Sequence, residues 1–323
     1  MKALVFSQIG EATEVLTYLD APKPTPAPGE VLVAVEASPV HPADFSFVRG
    51  AYRVKPKCPQ VAGLSGAGRV VALGEGAKFS LGTRVAFRWP GAWAEFVALP
   101  AERAFAVPAE IEVDAAAQFV INPITAFGLL DVARAEPGEW IALSAASSSV
   151  AALVSALATE RGLRVIGIAR EASLPGLASY VAGVAEQAPD LAERVRAITG
   201  GAGVAALIDC VGGPLVSSLF PALRQGATIV AYGTISPEPI VVKNATLVYS
   251  NLTWQGFGID RWSQSLGPEQ HTKMTETLWA EIRAGRLPLP VQAHHDLPDF
   301  LAALRRAAGG GLGKVMFAPR APQ

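Results

Sequence analysis

A run of small and hydroxyl-bearing residues stands where an apolar segment gives way to a helical pattern. It reads Ser144-Ala145-Ala146-Ser147-Ser148-Ser149-Val150-Ala151 and follows the apolar run 140–143. Serine hydroxyls and backbone N–H groups at a helix N-terminus can bind an anion. Phosphate-binding turns usually carry glycines, because the backbone must approach the phosphates closely. This turn has none. It predicts an anion site, and the alternative is a tight strand–helix turn without a ligand.

An arginine ends the next predicted strand, in the stretch Ile168-Ala169-Arg170-Glu171. It follows the turn by about 20 residues, the spacing at which dinucleotide-binding proteins recognise the ribose. An acidic residue there binds the ribose 2′-hydroxyl of NAD, whereas an arginine favours the 2′-phosphate of NADP. Arg170 therefore indicates NADPH. The alternative is a solvated surface charge, since arginines are mostly exposed.

Ligands for a metal ion are not evident in the sequence. A zinc site needs three or four converging nitrogen, sulfur or oxygen ligands, and the four histidines, His41, His271, His294 and His295, do not supply them. His294 and His295 are predicted to form a solvated pair, because adjacent side chains of an extended segment point to opposite faces. Cys58 and Cys210 lack metal-type neighbours and are predicted to be free thiols in a reducing cytoplasm.

Composition and charge narrow the class of protein. The chain has 323 residues, half of them hydrophobic, and a formal net charge of -1 with 27 scattered basic residues. That length suggests about two domains. The charge pattern predicts no nucleic-acid partner and no anionic membrane surface. No apolar run approaches the roughly 20 residues that span a bilayer. We therefore expect a cytoplasmic protein that acts on a small molecule.

Two kinds of sequence pattern along the chain predict the elements that position these residues. The first third has short extended runs at 31–35, 68–73, 84–87 and 93–99, separated by glycine and proline turns, which indicates a β-rich domain. Beyond Asp114, a predicted helix N-cap, apolar strands alternate with helices. The strands are predicted at 140–143, 164–168, 204–210, 228–232 and 252–257, and the helices include 149–161 and 191–198. This alternation predicts an α/β fold with a doubly wound parallel sheet.

Seven motifs, spread over nearly the whole chain, resemble the medium-chain dehydrogenase/reductase superfamily. The resemblance is strongest to its zinc-free quinone reductases and its trans-2-enoyl-thioester reductases of the mitochondrial type. Zinc members carry a cysteine near position 40 and a Gly-His-Glu triplet near position 63, which this chain lacks. The motifs are Val40-His41-Pro42-Ala43-Asp44, Arg49-Gly50-Ala51-Tyr52, Gly63-Leu64-Ser65-Gly66-Ala67-Gly68, Ile121-Asn122-Pro123-Ile124-Thr125-Ala126-Phe127, Asp209-Cys210-Val211-Gly212-Gly213, Tyr232-Gly233-Thr234 and Gly256-Phe257-Gly258-Ile259-Asp260-Arg261-Trp262.

The resemblance implies a GroES-like catalytic domain at 1–118 and 261–323, with a Rossmann domain at 119–260. It also implies NADPH in a cleft between the domains, a small-molecule substrate and a homodimer. The family's cofactor contacts map onto Asn122, Thr125, Ser147, Ser148, Ser149, Arg170, Tyr232, Gly233, Phe257, Gly258 and Lys314.

Tyr52 matches the catalytic tyrosine of the enoyl reductases, so the resemblance implies hydride transfer to the β-carbon of an enoyl thioester or enone. Tyr52 would then donate the proton and stabilise the enolate, and a packing tyrosine is the alternative. His41 stands where relatives have asparagine. It is a second catalytic candidate that could contact substrate or titrate near neutrality, or it is a tolerated change at the cleft rim.

Two other functions stay open. A quinone accepts hydride without a dedicated acid and needs only a flat apolar cleft. Aromatic side chains are available for it, unless they are simply core: Phe47, Trp89, Phe127 and Trp262. The glycine-free turn motivates the third function, a dinucleotide-binding protein without catalysis.

Overall fold

The short extended segments of the first third form strands in the computed structural model. The structure describes residues 1–174 and 176–319, which fall into two units. The first holds residues 1–121 and the chain from Leu289 onward, and the second holds residues 122–288. The domain boundaries predicted after residues 118 and 260 stay a prediction.

Strands and helices of the described residues follow the chain in this order. The first unit begins with β1 (Lys2–Phe6), α1 (Ala12–Val15), β2 (Leu16–Asp20), β3 (Glu30–Pro39), α2 (Pro42–Val48), β4 (Gln60–Val61), β5 (Gly66–Leu73), β6 (Arg84–Phe87), β7 (Phe96–Pro100), β8 (Ala104–Ala106) and α3 (Val113–Phe119). The second unit contains α4 (Asn122–Ala133), β9 (Trp140–Leu143), α5 (Ser149–Glu160), β10 (Arg164–Ala169), β11 (Gly183–Glu186), α6 (Leu191–Ile198), β12 (Val204–Asp209), α7 (Gly213–Leu219), β13 (Leu223–Ala231), α8 (Asn244–Tyr249), β14 (Thr253–Gly256), α9 (Ile259–Ser265) and α10 (Pro268–Arg283). The chain then returns to the first unit with β15 (Val291–His295), α11 (Phe300–Ala308) and β16 (Lys314–Phe317).

The first unit is organised around the long strand β3. This strand pairs antiparallel with β5, β7 and β16, within a sheet ordered β15-β16-β3-β5-β6-β8. A second sheet has the order β2-β1-β4. Because β16 comes from the end of the chain, C-terminal residues complete the β-rich unit. This is the GroES-like arrangement that the resemblance implied.

The second unit is a Rossmann-type parallel sheet. Its order is β11-β10-β9-β12-β13-β14, and every adjacent pair is parallel. All six residues of the central strand β12 are buried. A strand buried on both faces needs cover on both sides of the sheet, which the helices between the strands provide. The predicted α/β class is confirmed.

One predicted strand began too early. The run 93–99 forms a strand only from Phe96, and Trp93 lies before it in the core. Trp93 donates its backbone N–H to Ala62, accepts at its carbonyl from Leu4, and packs edge-on against Phe317 with ring centroids 5.1 Å apart. The irregular backbone is thus satisfied by strand β1 and its neighbours rather than by a continued ladder.

Two polar predictions were also corrected by tertiary contacts. Asp114 is not an N-cap: α3 begins at Val113 after Glu112, and Asp114 accepts a 2.8 Å hydrogen bond with His294 Nε2. The side chain of His294 is 52% exposed, whereas Nε2 of His295 is buried and has no hydrogen-bond partner among the described residues. The two histidines do point to opposite faces of β15, but they are not a solvated pair.

The apolar helices of the described residues are short relative to the thickness of a bilayer. Within residues 1–174 and 176–319, no single helix is both long and apolar enough to cross one. By length and composition alone, only α3 and α4 taken together as a bent pair meet the requirement.

Candidate functional site

The serine turn leaves the sheet where three parallel strands end. The backbone N–H of Ser144 donates to Ile208 of β12 at 3.1 Å, and that of Ala146 donates to Ile168 of β10 at 3.0 Å. Ala145 between them is left-handed, with φ of 46°. These two bonds fix both sides of the turn, so the N-terminus of α5 begins at a defined place beyond the sheet.

Asp209, the last residue of β12, holds this end of the sheet together. Its carboxylate accepts from the hydroxyl of Ser144 at 2.6 Å and from the backbone N–H groups of Val211 and Gly212 at 3.0 and 2.9 Å. The Ser144 hydroxyl in turn accepts from the N–H of Cys210 at 3.0 Å. Asp209 and Ser144 are both 1% exposed. Charge-assisted bonds of this kind are among the stronger ones in proteins.

Tyr232 links the end of β13 to the serine turn. Its side chain hydrogen-bonds with Ser148 and with the thiol of Cys210. Burial raises the pKa of Tyr232 well above its usual range, with the Cys210 thiol adding to the shift. Burial also raises the pKa of the Cys210 thiol. Both groups therefore stay protonated at neutral pH. Gly233 must be glycine, because a Cβ there would lie 2.7 Å from the Cys210 carbonyl oxygen.

The three serines of the turn have different surroundings. Ser148 caps α5, and its Oγ accepts from the Ala151 N–H at 3.3 Å. Ser149 is buried, whereas Ser147 is partly exposed. Of the predicted hydroxyl groups, only those of Ser147 and Ser148 are therefore partly accessible.

Arg170 ends β10 as predicted and is exposed. Among the described residues, no salt bridge or hydrogen bond is recorded for its guanidinium. Asn122 and Thr125 lie in the first turn of α4, where Asn122 is 2% exposed and its Nδ2 has no partner among the described residues. An orphaned buried amide is rare in native proteins and indicates an acceptor supplied by a ligand.

Phe257 and Gly258 connect β14 to α9 and are held against α4. A Cβ on Gly128 would lie 2.7 Å from the Phe257 ring and 2.8 Å from that of Trp262. Trp262 donates its indole N–H to Asp131 at 3.0 Å and is 7% exposed. Trp262 is thus a packing residue of this unit. Phe47, in the other unit, is fully buried, so neither lines an open cleft as was considered from the sequence.

The residues of this unit fit a dinucleotide. The serine turn, the amide of Asn122 and the guanidinium of Arg170 are donors for phosphates and a carboxamide. The observation that tests the fit is that the buried Asn122 amide has no acceptor among the described residues.

In the first unit, His41 lies beside two charged groups that are also removed from water. His41 is 2% exposed, and Nε2 of its ring is buried without a partner among the described residues. It immediately follows Val40, whose N–H donates to Val315, so β16 brings Lys314 alongside. Burial lowers the pKa of His41 well below its usual value, and the charge of Lys314 adds to this effect. The lowered pKa keeps the imidazole neutral at pH 7, which disfavours a titrating role, one of the alternatives for this residue.

Asp44 is the carboxylate of this cluster and is 0% exposed. It accepts from the N–H of His41 at 2.7 Å and from that of Leu64 at 2.9 Å. Burial raises the pKa of Asp44 to about 7, despite those two bonds. Burial likewise lowers the pKa of Lys314 to about 8, although the Asp44 charge opposes the shift. Desolvation outweighs pairing for both groups.

Tyr52 lies on the turn that ends α2. The backbone N–H groups of Ala51 and Tyr52 both donate to the carbonyl of Ser46, at 2.8 and 3.0 Å. The half-buried ring packs against the core of the first unit, and the Arg53 guanidinium lies 5.3 Å from its centroid. The Tyr52 hydroxyl is 3.4 Å from Arg53 Nε, which is a long contact.

Sequence reasoning missed the two carboxylates that organise these regions. Asp44 and Asp209 were both part of quoted motifs, yet neither was given a role. For Asp44 a usable pattern existed: an acidic residue at the third helical position with proline at the first is typical of a capped helix start. For Asp209, the N–H groups of Val211 and Gly212 are local partners, but Ser144 comes from the end of another strand, which no local pattern shows.

We predict that Asp44 makes stability depend on pH in a defined window. Its pKa is raised from 3.8 to about 7, so the folded chain binds more protons than the unfolded chain between those values. The stabilising contribution is therefore complete below about pH 4 and is lost as the pH rises to about 7, amounting to about 4 kcal/mol at most.

Urea unfolding of the wild type and Asp44→Asn at half-unit steps from pH 4 to 8 measures this contribution. The variant is less stable throughout, because an amide cannot accept both N–H groups. The wild-type advantage should shrink as the pH rises from 4 to 7. Parallel stability profiles over that range would contradict the assignment.

Comparisons with known proteins cover both units. Two family profiles match: the alcohol dehydrogenase GroES-like domain at residues 27–109 and the zinc-binding dehydrogenase family at 150–270. Within the described part of the chain, no group of three or more His, Cys, Asp or Glu side chains is placed to hold a metal ion.

Individual relatives match over nearly the whole chain. The mitochondrial enoyl-[acyl-carrier-protein] reductase of Bos taurus is 29% identical over 318 residues, which is 94% of this chain and 84% of that protein. A mycobacterial quinone oxidoreductase and mycobacterial Rv1454c complexed with NADPH are each 27% identical, with TM-scores of 0.88 and coverage of 99% of this chain and 100% of theirs. Escherichia coli quinone oxidoreductase complexed with NADPH has the same fold, with a TM-score of 0.89 at 24% identity over 99% of this chain and 100% of that one. With the sequence motifs, these matches show that the chain belongs to the medium-chain dehydrogenase/reductase superfamily, in its zinc-free branch of quinone oxidoreductases and enoyl reductases.

Proposed function

We propose that the protein is an NADPH-dependent reductase that delivers a hydride to the β-carbon of an enoyl thioester or enone. One observation carries the proposal: the likeness to an enoyl reductase extends over 94% of the chain and includes the segment with Tyr52. The relatives named as reductases favour a catalyst over a non-catalytic dinucleotide-binding protein. The cytoplasmic location stays a prediction.

Bound NADPH supplies the hydride, and the protein's residues hold and orient it. Arg170 supports the choice of NADPH over NADH, because an exposed guanidinium without a recorded partner suits a 2′-phosphate. Lys314 begins β16 and offers a further positive charge. The residues proposed to contact the coenzyme are Asn122, Thr125, Ser147, Ser148, Ser149, Arg170, Tyr232, Gly233, Phe257, Gly258 and Lys314.

Tyr52 is proposed as the proton donor and enolate stabiliser. Reduction at the β-carbon leaves negative charge on the substrate carbonyl oxygen, and the α-carbon then needs a proton. A hydrogen-bond donor preorganised for such an oxygen typically contributes about 3 kcal/mol to transition-state stabilisation. The two bonds to Ser46 and the packed ring limit the motion of Tyr52, and Arg53 keeps a positive charge near the phenol oxygen. His41, neutral and buried, is proposed to contribute a ring nitrogen as a hydrogen-bond partner rather than a charge.

Reduction of a quinone is a second candidate function. It is favoured by the 27% identity to a mycobacterial quinone oxidoreductase over 99% of this chain. A quinone needs no dedicated acid, so this function does not depend on Tyr52. The two candidates therefore differ in their response to one substitution.

A homodimer is also proposed, formed through the outer edge of the parallel sheet. Strand β14 is one of the two edge strands of this sheet, and β11 is the other. The segment just before it exposes large apolar side chains: Ile235 is 68%, Val241 70%, Val248 70% and Tyr249 81% exposed. An unpaired strand edge beside exposed apolar groups favours association with a second copy of the same surface.

Tyr52→Phe is expected to lower kcat on an enoyl thioester by roughly a hundredfold, the usual loss for one such donor. NADPH affinity should stay unchanged, because the substitution removes only the phenol oxygen. Steady-state kinetics and fluorescence titration with NADPH measure the two quantities. Tyr18→Phe is the matched control, because Tyr18 packs against the same core cluster as Tyr52. Undiminished enoyl turnover would remove Tyr52 from the mechanism, and selective retention of quinone turnover would favour the second function.

Arg170→Ala is expected to weaken NADPH binding by about ten- to a hundredfold, which corresponds to the loss of a charge-assisted bond to phosphate. NADH binding should not change, since NADH lacks the 2′-phosphate. Titration of each coenzyme against wild type and variant gives both ratios. Glu171→Gln serves as the control for a neighbouring exposed charge. Equal weakening for NADH and NADPH would be incompatible with 2′-phosphate recognition by Arg170.

The double variant Val248→Lys/Tyr249→Lys is expected to sediment as a monomer at concentrations where the wild type is a dimer. Two positive charges cannot be buried against their own copies across a symmetric interface. Leu81→Lys, at a residue 64% exposed in the first unit, should leave the dimer intact. A monomeric wild type, or a variant that remains dimeric, would refute the proposed interface.

A further inference from the structure

A polar pocket of about 270 Å³ lies in the parallel-sheet unit, at the amino ends of the strands, whereas the serine turn lies at their carboxyl ends. It is lined from the amino-terminal parts of β12, β13 and β14 and from the residue that follows α4. The serine turn, by contrast, follows the carboxyl end of β9. Nothing in the proposed reduction uses this pocket.

Two arginines face this pocket, Arg134 and Arg224. Arg224 binds Glu139 through Nη2 at 2.7 Å and the carbonyl of Gln225 through Nη1 at 2.9 Å. Its Nε is buried and has no partner among the described residues. A guanidinium has only donors, so this buried N–H needs an acceptor that the described chain does not provide. Because Glu139 neutralises one of the two arginines, the pocket keeps a net positive charge.

Arg134 has an unusual backbone conformation. It directly follows α4 and adopts the left-handed region with φ of 53°. Glycine is the usual residue at this position of a helix end, because a side chain there is strained. A residue kept in spite of such strain suggests a use for its side chain. Within residues 1–174 and 176–319, no salt bridge or hydrogen bond is recorded for the exposed Arg134 guanidinium.

Two threonines add hydroxyl groups to the floor of the pocket. Thr228 and Thr253 are paired in register on the parallel strands β13 and β14, so their side chains project from the same face. Thr228 is 7% exposed. For the described residues, neither hydroxyl has a recorded hydrogen bond. Gln255, two residues beyond Thr253, donates its amide to the carbonyl of Val132 and so ties this wall to the end of α4.

We propose that this pocket binds a phosphate group, held between Arg134 and Arg224 with the hydroxyls of Thr228 and Thr253 as further donors. Arginine pairs phosphate oxygens with two parallel N–H bonds, which a point charge cannot do. The pocket is roomier than one phosphate ion requires, so both the free ion and a small phosphate monoester fit its chemistry.

Arg134→Gly is the decisive variant because it removes the guanidinium and places the favoured residue at a left-handed position. It should therefore fold at least as well as the wild type, which thermal unfolding verifies. Inorganic phosphate is titrated into the full-length wild type by calorimetry, at ionic strength matched with chloride. We expect Arg134→Gly to weaken phosphate binding at least tenfold and Arg134→Lys to weaken it less. Saturating NADPH in every titration keeps the proposed coenzyme site occupied, and Arg305→Ala, at an exposed arginine of the first unit, should leave phosphate binding unchanged.

Glycerol phosphate, titrated in parallel, distinguishes the two sources of the phosphate group. Tighter binding of glycerol phosphate than of inorganic phosphate, lost in Arg134→Gly, identifies a monoester as the occupant. Equal or weaker binding, lost in the same variant, identifies the free ion. Absence of binding to the wild type at tens of millimolar, or affinity that Arg134→Gly leaves unchanged, overturns the proposal.

Discussion

Parallel strands leave backbone hydrogen-bonding groups unpaired at their carboxyl ends, and in this protein the carboxylate of Asp209 accepts hydrogen bonds from two of them. It accepts from the Ser144 hydroxyl at the end of β9 and from two N–H groups of its own following turn. Buried donors without acceptors are destabilising, so Asp209 stabilises the ends of β9 and β12. The backbone bonds of Ser144 and Ala146 to the neighbouring strands then fix the serine turn and the start of α5.

The first unit has a corresponding centre at Asp44. Its two oxygens join the start of α2 to the segment at Leu64, while β16 brings Lys314 from the far end of the chain. Asp209 accepts three hydrogen bonds. Asp44 accepts two, both from backbone groups, and burial raises its pKa to about 7. A carboxylate held this way also influences the charge of Lys314, one of the proposed coenzyme contacts.

The two ends of the parallel strands offer different groups for binding an anion. At the carboxyl ends, helix N–H groups and small residues suit a pyrophosphate that lies close to the backbone. At the amino ends, a phosphate group would meet long arginine side chains and threonine hydroxyls instead. Because the two places are separated by the length of the strands, a ligand at one does not displace a ligand at the other.

Sequence patterns indicate the order of most elements and the class of fold. The runs at 84–87, 140–143 and 191–198 match β6, β9 and α6, because a short apolar pattern bounded by turn residues is a local property. The places of Arg170 at a strand end and of Ser148 at a helix start were equally local. Motif resemblance extended this to the coenzyme and to Tyr52, although the role of each residue stays a proposal.

Contacts between distant segments depend on the tertiary structure. It buries Trp93 before its strand, gives His294 and His295 different surroundings, and lowers the pKa of His41 mainly by burial, with a smaller effect of the Lys314 charge. Burial and pKa depend on every neighbouring segment, and no residue pattern encodes the neighbours. For the same reason, the sequence does not show the pocket of Arg134 and Arg224. Its residues come together only when the end of α4 and the parallel strands are in place.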